Sequence, residues 1–286
     1  MKYYIADVFA EQKYQGNQLA VFMPDREIPV NEMQQIAREI NFSETTFIVT
    51  GKQENGGYGV KIFTPDSEIP FAGHPTLGTA YIIHKIIEKG KSDNVLLDLQ
   101  VGTIPVTIGH DGLTMRQNEP SFGMIIENVE TMAGILNINA EDIRVDYPIQ
   151  LVSTGLPFFI VPLKTLDAVK RCAINHHKYQ HFLDNVYRCG ILVFTPDTEF
   201  DLRVRVFMED TGFLEDPATG SANGNLAGYL LKYNFFNDSK IKYTVGQGQE
   251  IKRPSLLRIE AEKTNGSYKI LVGGNVHIVA EGEWYQ

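Results

Sequence analysis

Apolar residues in the first 118 positions fall into short alternating or continuous runs of about five to eight, the signature of strands with one or both faces buried. That pattern predicts strands at 3–9, 18–23, 45–50, 58–64, 95–100, 103–109 and 113–117, and then again at 149–153, 157–162, 189–195, 201–208, 241–245, 255–261, 267–272 and 275–281. Gly109-His110-Asp111-Gly112 and Thr264-Asn265-Gly266-Ser267 separate neighbouring runs and read as tight turns. Helical spacing is rarer. Over 30–41, Met33, Ile36, Ala37 and Ile40 make one apolar stripe, as on a surface helix. Residues 75–88 are apolar nearly all round, and Ala218, Ala222, Leu226 and Leu230 stack at four-residue steps with small residues between them. Helices of that kind are enclosed by other elements. The expectation is an α+β fold in which barrel-like sheet surrounds a central helix, twice over.

The duplication is visible in the letters. VKIFTPD at 60–66 returns as VRVFMED at 204–210, and HPTLGTA at 74–80 returns as DPATGSA at 216–222. TFIVT at 46–50 precedes the first copy as GILVF at 190–194 precedes the second, and Gly16 followed by LAVF has a looser echo in Gly155 followed by PFFIV. Four matches in one order, displaced by about half the chain, indicate two homologous halves. They predict pseudo-symmetric domains over 1–118 and 119–286, with a return of the last strand to the first domain left open.

The repeated motif carries candidate chemistry. Proline is favoured at the first position of a helix, so Pro75 and Pro217 predict helix starts, with His74 and Asp216 as the N-cap residues. Gly78 with Thr79, and Gly220 with Ser221, would keep those first turns narrow enough for a ligand to reach the backbone. A twofold relation between the halves would set the two helix starts facing each other across a cleft. Together they would attract a carboxylate without any Lys or Arg. Capping and catalysis both account for Asp216, whereas His74 is a poor cap and suits proton transfer. Glu44, in the segment NFSETTF, is either an exposed loop carboxylate or an acid/base whose proton affinity is raised by Phe42 and Phe47 on either side.

Composition narrows the field. A chain of 286 residues with 43% hydrophobic and 21% charged residues can bury a large core. Its net charge of −9 is spread without basic clusters, which argues against nucleic acid as a partner. No apolar run is long enough for a membrane span and no secretory leader is recognisable, so a cytoplasmic setting without a membrane is expected. Cys172 and Cys189 lie outside the motifs. His177 and His181 are spaced i, i+4 but lack the glutamate of a zinc motif, and Gly246-Gln247-Gly248 is too short for a phosphate loop. Neither a metal nor a nucleotide or nicotinamide cofactor is indicated.

Taken in order, GNQLAVF (16–22), NFSETTF (41–47), FAGHPTLGTA (71–80), EDPATGSANG (215–224), GQGQEIKRPS (246–255) and GGNV (273–276) resemble the PhzF-like family of phenazine biosynthesis over nearly the whole chain. The resemblance implies a diaminopimelate-epimerase-like fold, a homodimer, no cofactor, and an isomerase acting on a small carboxylate, similar to trans-2,3-dihydro-3-hydroxyanthranilate isomerase. It implies Glu44 as general acid/base with His74 and Asp216 as partners, and substrate contacts from Ser43, Gly73, Gly220 and Ser221. Related epimerases carry a cysteine in each half near these helix starts, and this chain has none there, which favours one carboxyl over a pair of thiols. An epimerase or racemase of an amino acid-like substrate and a catalytically silent binding protein are the alternatives. Gln18 departs from the family's usual proline, a difference that affects a strand entry and not the proposed chemistry.

Overall fold

The computed structural model describes residues 1–208 and 214–285, so Glu209 and Asp210, at the end of the second VRVFMED copy, lie outside the described residues. The chain divides into two compact units, Met1–Arg116 with Gly273–Gln286, and Gln117–Val272.

The first unit contains β1 (Lys2–Val8), β2 (Asn17–Met23), α1 (Val30–Ile40), β3 (Glu44–Lys52), β4 (Gly57–Phe63), β5 (Glu68–Ile69), α2 (Gly73–Ile82), β6 (Asn94–Leu99), β7 (Gly102–Gly109) and β8 (Gly112–Arg116). Its far edge is the last strand of the chain, β18 (Val276–Glu283), which pairs antiparallel with β1. From there the ladder runs through β2, β3, β4, β6, β7 and β8, with β5 as a short flap on β4. Helix α2 packs against β1, β2, β3, β6, β7, β8 and β18, so the sheet wraps around it. Gly78 is required by that packing. A methyl group there would sit 2.5 Å from Leu19 Cδ2 and 2.8 Å from Val8 Cγ2. It brings helix and sheet together, a different duty from the ligand access its motif suggested.

Helix α1 lies on the outer side of the same sheet, burying Met33, Ile36 and Ala37 against Phe22, Phe47 and Phe63. Phe47 stacks on Phe22 with centroids 5.2 Å apart and meets Phe63 edge-on at 5.5 Å. Asn41 ends α1 in the left-handed conformation (φ 55°), its N–H bonded to the Ala37 carbonyl. That stop delivers the chain to β3 with Glu44 as the strand's first residue.

The second unit repeats the plan. It contains β9 (Ser121–Ile126), α3 (Val129–Leu136), β10 (Ile149–Ser153), β11 (Pro157–Pro162), α4 (Leu166–Arg171), α5 (His176–Asn185), β12 (Gly190–Pro196), β13 (Leu202–Phe207), β14 (Glu215–Asp216), α6 (Gly220–Lys232), β15 (Lys240–Gln247), β16 (Ser255–Thr264) and β17 (Ser267–Gly274). Parallel β11–β12, antiparallel β12–β13, the β14 flap and parallel β13–β15 copy the β2 to β6 ladder step for step. The edge strand is again displaced along the chain: β9, which follows the first repeat, pairs with β10 at the start of the second. Helix α6 is buried from Gly220 to Leu231. The additional helices α3, α4 and α5 enclose a core with Phe159, Phe182 and Ile191 at its centre.

The ladders set the true register of the duplication. Phe63 pairs with Thr45 and Phe207 with Ile191, while Leu19 lies level with Glu44 and Phe158 with Gly190. Glu44 and Gly190 are therefore equivalent, and the TFIVT–GILVF match is two residues out of step. Cross-strand ion pairs repeat too: Lys61–Glu68 at 2.9 Å on the first flap, Arg205–Glu215 at 2.7 Å on the second.

Candidate active site

In the first unit, β3 and α2 bring Glu44 and His74 together, with Glu44 Oε2 3.5 Å from His74 Nε2. Strand alternation decides the company Glu44 keeps. Glu44 and Thr46 share the face toward α2, where the Thr46 hydroxyl meets that of Thr79 at 2.8 Å. Phe42 and Phe47 belong to the α1 side of the sheet, so they do not form the apolar cage expected around the carboxyl.

His74 occupies the second residue of α2, not the N-cap. The cap is Ala72, and Pro75 stands third in the helix. Proline is tolerated there because first-turn N–H groups have no intrahelical partner in any case. The His74 ring is 5% exposed, and burial lowers its pKa to about 3, against a smaller raising effect from the Gln18 carbonyl. The histidine is therefore neutral, and the 3.5 Å approach to Glu44 is a polar contact and not an ion pair. Nε2 also lies 3.3 Å from the Gln18 carbonyl oxygen. Two acceptors around one nitrogen assign the proton to Nε2. Gln18, set aside in the sequence as remote from the chemistry, thus orients the ring through its backbone. Gly73 begins α2 and is buried, and Ser43, half-buried, immediately precedes Glu44.

In the second unit Asp216 is likewise not an N-cap. It lies in β14, level with Val206 of β13, and the cap of α6 is Thr219. Pro217 precedes the helix altogether. The Thr219 hydroxyl donates to Asp216 Oδ2 at 2.5 Å, and Gly220 and Ser221 form the buried first turn. Nothing in a local reading of GQGQ marked Gln247, yet this fully buried side chain bonds both the Asp216 carbonyl and the Thr219 hydroxyl.

The two central helices share one more property. α2 and α6 have neither a side-chain cap nor an acidic residue in the first turn. By contrast α3, α4 and α5 are capped by Asn128, Thr165 and Asn175. Leaving a helix start uncapped keeps its N–H groups and positive dipole end available to an anion.

His177 and His181 lie on α5, whose Tyr179, Phe182 and Leu183 face the core. Among the described residues no group of three or more His, Cys, Asp and Glu side chains is arranged to hold a metal ion. Burial drives the pKa of both Cys172 and Cys189 up to about 12, which leaves neither a thiolate near neutral pH. Among the described residues no helix is long and apolar enough to cross a membrane.

The family model for phenazine biosynthesis-like proteins, PhzC-PhzF, matches residues 6–282. A trans-2,3-dihydro-3-hydroxyanthranilate isomerase of Pseudomonas aeruginosa is 32% identical, the match covering 99% of each chain. An isomerase of Pasteurella multocida is also 32% identical, over 99% of this chain and 93% of its own. The crystal structure of a Bacillus anthracis PhzF-family phenazine biosynthesis protein superposes with a TM-score of 0.90 at 27% identity, covering 100% of this chain and 99% of the other. A probable proline racemase from Agrobacterium radiobacter shares the fold alone, with a TM-score of 0.67 at 9% identity over 99% and 92% of the two chains. The chain thus belongs to the PhzC-PhzF family of phenazine biosynthesis-like proteins and is an isomerase of that family.

Proposed function

We propose that this isomerase moves a proton along a small carboxylate metabolite, with Glu44 taking the proton from carbon and returning it at another position. The observation that carries the reading is the Glu44–His74 pair: a carboxylate at the first residue of β3, held beside a neutral, buried imidazole at an uncapped helix start. A neutral ring adds no positive charge of its own beside Glu44, which suits a carboxyl that must alternate between acid and base. Asp216, in the second unit, orients polar groups of the substrate. The open first turns of α2, with Gly73, and of α6, with Gly220 and Ser221, each offer N–H groups to a carboxylate, and Ser43 stands beside Glu44. The scheme needs no metal or organic cofactor, and it is compatible with a cytoplasmic homodimer. The names of the Pseudomonas relatives support trans-2,3-dihydro-3-hydroxyanthranilate as the first substrate to try.

The test is NMR of that substrate in deuterated buffer. Wild-type protein is expected to isomerise it with deuterium incorporation, and Glu44→Gln to lose about a hundred- to ten-thousand-fold in rate while still binding it by thermal shift. Undiminished exchange in Glu44→Gln removes Glu44 from the role.

A further inference from the structure

We infer that Gln247, Asn223 and Thr219 form a one-way hydrogen-bond relay that aims the Thr219 hydroxyl proton at the Asp216 carboxylate, making all three positioning residues for that side chain. The inference rests on the reading that Asp216 serves the isomerase reaction.

Backbone groups fix the direction of every bond. The Asp216 carbonyl can only accept and the Thr219 N–H can only donate. They lie 2.8 Å from Gln247 Nε2 and 3.3 Å from Gln247 Oε1 respectively, so the amide has one permitted orientation. Its second Nε2 hydrogen is then donated to the Thr219 hydroxyl at 3.0 Å. Having accepted there, the hydroxyl has one hydrogen to give, and it gives it to Asp216 Oδ2 at 2.5 Å. Asn223 Nδ2 supports the far end by donating to Gln247 Oε1 and to the Thr219 carbonyl, both at 2.9 Å. Gln247 and Asn223 are fully buried.

The relay displaces a structural duty. Threonine at an N-cap ordinarily accepts from a first-turn N–H, which stabilises the helix by about 0.5–2 kcal/mol, and Thr219 makes no such bond. Its hydroxyl points back to Asp216 instead. Gly248, next in the chain, permits the arrangement: φ is +83°, and a methyl group there would lie 2.6 Å from the Pro217 carbonyl oxygen. The GQG segment thus presses directly against the residue after Asp216.

The experiment compares Thr219→Val, which keeps the shape and loses the hydroxyl, with Thr219→Ser, which restores it, and with Gln247→Leu. Two readouts are taken on protein of confirmed fold. The first is the carboxyl 13C resonance of Asp216, assigned by its absence in Asp216→Asn. We expect it to shift in Thr219→Val and Gln247→Leu and to return in Thr219→Ser; an unshifted resonance in Thr219→Val overturns the relay. The second is turnover of trans-2,3-dihydro-3-hydroxyanthranilate. There kcat is expected to fall about ten- to a hundredfold in Thr219→Val, the range a hydrogen bond to a charged group commands, with KM within about twofold and recovery in Thr219→Ser. A relay intact by NMR with full activity in Asp216→Asn instead sinks the assignment of Asp216 to the reaction. If Gln247→Leu does not fold, the Thr219 pair decides alone.

Discussion

The two copies of the motif have the same ladder beneath them and different chemistry above it. Gly78 stands nine positions after Ile69 of the first flap, whereas Gly220 stands four positions after Asp216 of the second. The ladder sets Asp216 level with Ile69, while the helix motif sets it level with His74. Both cannot hold, and the first copy takes up the difference by starting α2 earlier and carrying His74 on the extra turn. Its counterpart lets Asp216 stay on the strand. A similar divergence separates Glu44 from Gly190: a methyl group on Gly190 would sit 2.3 Å from the Phe158 ring, so that place is filled by an aromatic side chain. The second half has closed the space in which the first keeps Glu44, the proposed acid/base. Duplication produced the frame, and small losses of symmetry produced the site.

The ion pairs on the two flaps offer the strongest way to break the comparison. Arg205 is forked onto both oxygens of Glu215, and its Nη1 donates to the carbonyls of Val169 and Cys172. Both charged side chains are 8% exposed. Arg205→Met is expected to lower stability by about 3–5 kcal/mol in urea denaturation, since Glu215 is left buried without its cation. Lys61 is 32% exposed, and Lys61→Met should cost under about 1 kcal/mol. Equal losses would mean that the flaps are energetically alike and that the asymmetry is confined to the site.

Gly190→Ala comes next. With the Phe158 ring fully buried and unable to swing aside, it should destabilise by about 1–3 kcal/mol, read from the thermal midpoint. An unchanged midpoint would show that the second copy could have kept a side chain where Glu44 stands.

A third expectation concerns pH. The His74 pKa is lowered on folding, so between about 6.5 and 3 the unfolded chain takes up a proton that the folded chain refuses. The contribution of the neutral ring is complete above about 6.5 and is lost as pH falls. Wild-type stability should therefore drop with acidification more steeply than that of His74→Gln, by up to about 1.4 kcal/mol per pH unit. Parallel curves for the two proteins, measured by urea titration from pH 7 to 4.5, would place the proton elsewhere.

Much of this was legible in the chain. The strands alternate strongly enough to be found to within a few residues, and the enclosed helices betray themselves by having no polar face. Strand β9 was missed because Met124 and Ile125, though apolar, are exposed and break the alternation. The flaps β5 and β14, two residues each, are shorter than any periodic signal. Glu44 and His74 were both picked out, but their contact depends on which face of β3 looks toward α2. Flanking aromatic residues cannot reveal that. The helix caps were misplaced because Pro75 stands third in α2 and Pro217 lies before α6, so neither proline marks the first helical position. Gln247 was hidden by distance along the chain from Asp216.

The pairing of β18 with β1 bears on how such a chain is made. A ribosome releases Lys2–Val8 long before Val276–Glu283, its partner in the ladder. Until then β1 has β2 on one side and an open edge on the other, an invitation to wrong partners. Closure of the first unit across so long a separation predicts slow folding, with a nascent protein that depends on Val276–Glu283 to shield Lys2–Val8.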